Sequence, residues 1–166
     1  LGELAADVGR HSLLSRVLAM KGGTALNLLF GPPARLSVDL DFNYIGEEDR
    51  PGMQADRPEG ERAIVVIGEG QGYRVQHSRD AHAGRKIYLS YVSSAGTPNR
   101  IEIDLNFLFR VPLGEVTIRP LWQPPGVSCP EVRVVPLEEL FTGKLRATLD
   151  RAMPRDLFDT ARLPGY

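Results

Sequence analysis

Polar and apolar positions along the chain fall into segments of two different periods. Leu4, Val8, Leu13, Leu14 and Val17 recur at roughly helical spacing, so the opening segment reads as one amphipathic helix. Arg16–Met20 predicts a short strand ahead of Lys21-Gly22-Gly23-Thr24. Ala25–Phe30 then predicts a short buried helix stopped by Gly31-Pro32-Pro33. Strict alternation over Ser37–Tyr44 predicts a strand. After an acidic, loop-rich stretch, Glu59–Gly70 predicts the body of a helix, and Tyr73–His77, Lys86–Ser93 and Arg100–Phe109 predict three further strands. Gly114–Val132 is rich in proline and shows no clear period. Val132–Val135 reads as a short strand, Leu137–Ala152 as a helix, and Pro154 as the first residue of another. Strands and helices do not alternate as βαβ units, so the fold class is α+β, a mixed sheet with helices packed on it.

Length narrows this picture to one domain of 166 residues, with the sheet core in about 1–110 and a loop plus C-terminal helices in about 111–166. The single cysteine, Cys129, excludes an internal disulfide and a multi-cysteine zinc site, and fits a cytoplasmic location. No apolar run approaches the length of a membrane span and no signal peptide is recognisable, so no membrane partner is expected. The chain begins at Leu1 rather than at methionine, as a trimmed chain would. Net charge is −1, but it is unevenly spread. Glu47–Glu61 holds six acidic and two basic residues, and Thr142–Tyr166 five basic and three acidic. A polyanionic ligand should therefore prefer the C-terminal part.

Candidate chemistry begins with Asp39-Leu40-Asp41. Residues two apart on a strand project from one face, with Cα atoms roughly 6.6 Å apart, close enough to share a hard cation. A lone Asp-x-Asp is more often the solvated face of an antiparallel strand. The run Arg100-Ile101-Glu102-Ile103-Asp104-Leu105-Asn106 alternates in the same way, and one of its carboxylates would complete a three-carboxylate cluster beside the first strand. Asp104 sits mid-run and is the first choice, with Glu102 as the alternative. Gly22 and Gly23, at a strand-to-helix turn, suit close approach to phosphate, and Thr24 offers a hydroxyl; a plain helix cap explains the same residues. Lys144 and Arg151 lie two helical turns apart on one face with Ala147 between them, leaving room for a ligand. For Arg146 with Asp150 an exposed i,i+4 pair suffices, and for Asp156 the helix dipole does.

In these residues the chain resembles the AbiEii-type nucleotidyltransferase toxins, a group that includes the MenT toxins of mycobacteria. Three blocks carry the resemblance. The first runs from Lys21-Gly22-Gly23-Thr24-Ala25-Leu26 to Arg35-Leu36-Ser37-Val38-Asp39-Leu40-Asp41-Phe42. The second is Ile103-Asp104-Leu105, and the third is Lys144-x-x-Ala147-x-x-x-Arg151-x-x-x-Arg155-Asp156-x-x-Asp159. The resemblance implies a polymerase-β-like nucleotidyltransferase fold, a mixed sheet flanked by helices. It also implies transfer of a nucleoside monophosphate from a nucleoside triphosphate, with pyrophosphate leaving. Some relatives extend the 3′ end of tRNA, so an RNA acceptor is expected; relatives are usually encoded with an antitoxin, which makes one an expected partner. The expected cofactor is Mg²⁺, or Mn²⁺ in its place, on Asp39, Asp41 and Asp104. By motif match, Lys144 and Asp159 join these three as catalytic residues. Gly22, Gly23, Thr24, Ser37, Lys144 and Arg151 are the expected nucleotide-binding residues.

Other functions fit the same carboxylates. A protein-modifying nucleotidyltransferase or a kinase would use the same metal site, and a nuclease would use the aspartates without needing the paired glycines. A catalytically silent nucleotide-binding or partner-binding module is the reading outside the enzymes.

Overall fold

A computed structural model describes residues 1–35, 37–79 and 81–165. The alternating apolar positions of the central strands turn to one side of a seven-stranded mixed sheet, and that choice organises the fold. The strands are β1 (Leu18–Lys21), β2 (Leu40–Tyr44), β3 (Arg74–His77), β4 (Gly84–Val92), β5 (Pro98–Asn106), β6 (Thr117–Pro120) and β7 (Glu131–Val134), in the order β3-β4-β5-β2-β1-β7-β6. Pairing is antiparallel except for β2 with β5 and β1 with β7. Met20, Leu40, Phe42, Ile87, Leu89, Ile103 and Leu105 are buried on the inner face.

Helices α1 (Gly2–Arg10) and α4 (Arg50–Gly70) belong to that core through Leu4, Val8, Met53 and Ile64. On the opposite side, α3 (Gly22–Leu29) packs on β1, β2 and α5 (Leu137–Arg151), and α6 (Pro154–Arg162) packs on α5. Among the described residues no helix is long and apolar enough to cross a membrane.

Three elements differ from the expected ones. The opening segment is two helices, α1 and α2 (Leu14–Val17), not one. His11 ends α1 in an extended conformation, and its Nδ1 accepts from the N–H groups of Leu13 and Leu14, starting the second helix. The stretch read as an acidic loop is instead the first half of α4. Asp49 accepts from Gly52 N at 2.7 Å as an N-cap, and Pro51 stands in the first turn, where its missing N–H costs nothing. Pro58 lies inside the helix, which continues through it. The third is β6, inside the unperiodic stretch; its outer residues are largely exposed, so no alternation is imposed on it.

Candidate active site

Four adjacent strands place four charged residues in one row. Lys21 on β1 is opposite Asp41 on β2, Asp41 opposite Asp104 on β5, and Asp104 opposite Lys86 on β4. Directly opposed residues share a sheet face. Burial of Leu40, Phe42, Ile103 and Leu105 on the inner side therefore sends both carboxylates to the outer one. Two carboxylates on neighbouring strands repel each other. Burial, reinforced by Asp104 and also by Asp39 and Glu102, pushes the Asp41 carboxyl up to about 6, against the opposing pull of Lys21. Burial likewise lowers the Lys21 ammonium, although Asp41, Asp104 and Glu139 oppose that shift. Lys86 pairs with Glu102 and lies 3.7 Å from Asp104, and its hydrogen bond to Glu102 raises it.

The outer face beside Asp41 opens into a cavity of about 450 Å³. Lys21, Gly22, Gly23, Asp41 and Asn43 line one side, and Lys144, Ala147 and Arg151 of α5 the other. Phe109, Val111, Leu113 and Val135 supply an apolar wall. Asn43 continues the alternation of Asp39 and Asp41, and it is 2% exposed. Its amide nitrogen donates to Glu139 Oε1 at 3.0 Å, which fixes the amide orientation because the carboxylate can only accept. Its Oδ1 is then a buried oxygen with no hydrogen-bond partner among the described residues. Such an atom calls for a ligand donor or a cation in the cavity.

Gly22 begins α3 with φ at 79°, a left-handed conformation that disfavours any side chain. A Cβ there would overlap the Asp41 carboxylate. A Cβ on Gly23 would come to 3.1 Å from Arg35 Nη2, which needs to give by only a few tenths of an ångström. Gly22→Ala is therefore expected to lose on the order of 2–3 kcal/mol of unfolding free energy and most of any transferase activity, with Gly23→Ala much milder. Urea unfolding of both variants checks this. Equal stability of Gly22→Ala and the parent would mean that Asp41 does not press on the turn.

Thr24 is buried, and its hydroxyl is engaged with the Asp39 carbonyl at 2.5 Å and Ser37 Oγ at 2.9 Å. Both Thr24 and Ser37 thus fasten the lead-in to β2 against α3. Asp39 itself precedes β2, outside the ladder. Among the described residues, no three His, Cys, Asp or Glu side chains converge as a closed metal cage would require. Of the expected trio, Asp41 and Asp104 are direct partners in the ladder.

Behind the cavity lies a buried ionic network. Lys144, 8% exposed, is 3.2 Å from Asp156 Oδ1 and 2.8 Å from Asp159 Oδ2. Arg151 binds Asp156 through Nε at 2.7 Å and Nη2 at 3.1 Å. Arg35 binds Asp159 through Nε at 2.8 Å and Nη2 at 2.5 Å. The hydrogen bond from Arg151, helped by Lys144, holds Asp156 below the usual carboxylate range. Burial pushes Asp159 upward, but hydrogen bonds from Arg35 and Lys144 outweigh it and leave it lowered. Asp156 thus has a side-chain task that the helix dipole alone does not explain, and Asp159 is turned to Lys144 and Arg35 rather than to the row of carboxylates.

Lys21, Arg35, Asn43, Lys86 and Glu139 were not singled out from the sequence. The alternation Asp39, Asp41, Asn43 was the available signal for Asn43. Nothing local connects Glu139 or Arg35 to the site.

The profile of the nucleotidyl transferase AbiEii toxin family, described as a type IV toxin–antitoxin system, matches residues 7–164. JHP933 from Helicobacter pylori superposes with a TM-score of 0.67 at 18% identity, over 98% of this chain and 62% of that one. MenT4, a nucleotidyltransferase toxin from Mycobacterium tuberculosis H37Rv, superposes with a TM-score of 0.61 at 23% identity, over 95% of this chain and 53% of that one. The chain spans less than two thirds of either structure. No curated protein matches it. The fold is α+β of the polymerase-β-like nucleotidyltransferase kind, as the sequence led us to expect.

Proposed function

Because the chain belongs to the AbiEii nucleotidyl transferase toxin family, we propose that it moves a nucleoside monophosphate from a nucleoside triphosphate to a hydroxyl at the 3′ end of an RNA, with tRNA as the first candidate. The observation that carries this reading is that Asp41, directly opposed to Asp104 on the neighbouring strand, lines one cavity together with Gly22, Gly23, Lys144 and Arg151. A nuclease needs the carboxylates alone, whereas the cavity adds a turn and cations suited to a triphosphate.

The carboxylates fit a hard divalent cation. Oxygen donors are right for Mg²⁺, or for Mn²⁺ in its place, and one or two carboxylates suffice when phosphate oxygens and water fill the other positions. The raised carboxyl of Asp41 and the unpartnered Oδ1 of Asn43 mark a place short of positive charge and donors. Asp41 and Asp104, with Asp39 next along the chain, would hold such a cation, which would supply charge neutralisation at the phosphates.

Gly22 and Gly23, at the start of α3, present backbone N–H groups to the phosphates. Lys144 and Arg151, held in place by Asp156 and Asp159, face the β- and γ-phosphates. The acceptor oxygen attacks the α-phosphorus while its proton passes to the Asp104 carboxylate. The bond from the α-phosphorus to the bridging oxygen breaks, and pyrophosphate leaves with the electron pair, its charge met by Lys144. The apolar wall at Phe109, Val111 and Leu113 takes the base. A cytoplasmic location and a cognate antitoxin belong to the same reading.

Incubating the protein with total tRNA, Mg²⁺ and α- or γ-³²P-labelled nucleoside triphosphates tests it. Entry of α-label alone into tRNA is the expected result. Label entering protein would move the acceptor from RNA to protein. Entry of γ-label would make the protein a kinase.

A further inference from the structure

We propose that the open outer face of β3, β4 and β5 is the track along which the acceptor RNA strand reaches the active site, with Arg100 and Arg74 as its phosphate contacts. The inference rests on the RNA-acceptor reading above and adds the surface that holds the strand.

The sheet itself divides the molecule. Helix α3 packs on β1 and β2 and α5 faces them across the cavity, while among the described residues β3, β4 and the outer part of β5 carry no covering helix on that side. In an in-line displacement the attacking and leaving oxygens stand on opposite sides of the phosphorus. Pyrophosphate directed to Lys144 and Arg151 therefore requires the acceptor hydroxyl to arrive from across Asp104, over β5 and β4.

The residues on that approach suit a nucleic-acid strand. Register places three rows beyond one another: Lys86 with Asp104, then Gln76, Tyr88 and Glu102, then Arg74, Ser90 and Arg100. Arg100 is four residues from Asp104, about 13 Å along the strand. Beyond Glu102, which is paired with Lys86, neither β3 nor the outer parts of β4 and β5 contain an acidic residue. Arg74 and Arg100 are exposed, and neither has a carboxylate partner among the described residues. The Arg100 guanidinium lies over the Tyr88 ring, 4.9 Å from its centre, a contact that steadies it on this face. A guanidinium so held offers both a phosphate fork and a stacking surface for an unpaired base. Arg74, Ser90 and Arg100 of this face help line a shallow groove of about 500 Å³. Cations with a stacking platform in an open groove form the arrangement by which single strands are held without sequence reading.

The test compares the parent with Arg74→Ala/Arg100→Ala, using a fluorescein-labelled single-stranded RNA about 12 nucleotides long. Poly-glutamate of equal charge serves as the control ligand. The double variant is expected to bind this RNA roughly tenfold to a hundredfold more weakly. Its slope of log K against log salt should fall by about 1.4, the share of two phosphate contacts on a single strand. Nucleoside triphosphate affinity by calorimetry should stay within about twofold, because neither arginine lines the cavity. Unchanged RNA affinity and salt slope in a folded variant would overturn the track. Equal weakening for poly-glutamate would overturn it too, by reducing it to a general polyanion surface. A parent that neither binds nor labels RNA would instead remove the RNA-acceptor reading on which the track depends.

Discussion

Replacing Asp41 by Asn is expected to lower nucleotidyl transfer by about a thousandfold or more while making the metal-free protein more stable. The loss follows from taking away one of two opposed carboxylates at the phosphate site, where charge is met in a desolvated setting. The gain follows from electrostatics. An ordinary aspartate ionises at 3.8, and burial among Asp104, Asp39 and Glu102 pushes Asp41 up to about 6. The folded state then binds this proton more tightly than the unfolded chain does, so this group's contribution to stability falls as pH rises between those two values. Below that interval the penalty is absent. Above it the full penalty applies, on the order of 2–3 kcal/mol.

In chelator, the Asn variant should thus melt several degrees above the parent at pH 8, by a few degrees per kcal/mol for a chain of this size. The difference should shrink as pH falls and vanish near pH 4. Thermal unfolding of both proteins at several pH values measures this directly. A variant that keeps its transferase activity, or that is less stable than the parent at every pH, would make Asp41 a structural residue.

Asp159→Ala is expected to act the other way, destabilising the protein by about 3–5 kcal/mol. The carboxylate is 1% exposed and receives Arg35 and Lys144 together, so its loss takes both bonds to this carboxylate from Arg35 and leaves two largely buried cations sharing less negative charge. Lys144→Met is gentler on the fold, because Asp156 keeps Arg151 and Asp159 keeps Arg35. Its main cost should fall on transfer, through the missing charge opposite the leaving group. Urea unfolding and α-label transfer on both variants separate structure from chemistry. If Asp159→Ala unfolds like the parent yet is inactive, Asp159 acts on substrate directly, as the family resemblance suggested. If it loses stability far more than Lys144→Met, it positions Lys144 and Arg35.

This network explains why the C-terminal block was legible only in part. Its spacing on a helix showed that Lys144 and Arg151 share a face, since that is a property of helical geometry alone. Which carboxylate each cation meets depends on how α6 packs on α5 and on where the loop before β2 carries Arg35, 124 residues from Asp159. The same limit applies to Thr24. Its hydroxyl appeared available to a phosphate, but folding spends it on the Asp39 carbonyl and Ser37.

The strands, most helices and the candidate aspartates were determined by the sequence itself, because period and side-chain direction are local consequences of backbone geometry. Alternation alone placed Asp41 and Asp104 away from Leu40, Phe42, Ile103 and Leu105. Two of the three breaks in that legibility, at His11 and along residues 50–59, arose where local capping contacts outweighed the surrounding composition; the third, β6, has too little burial to impose an alternation. Only the tertiary structure decided that β2 and β5 lie side by side in parallel, bringing Asp41 opposite Asp104 across 63 positions of chain. It likewise set Glu139 against Asn43 and left Asn43 Oδ1 without a partner. Register between distant strands is chosen by burying both inner faces at once, a condition that exists only when the whole sheet has assembled.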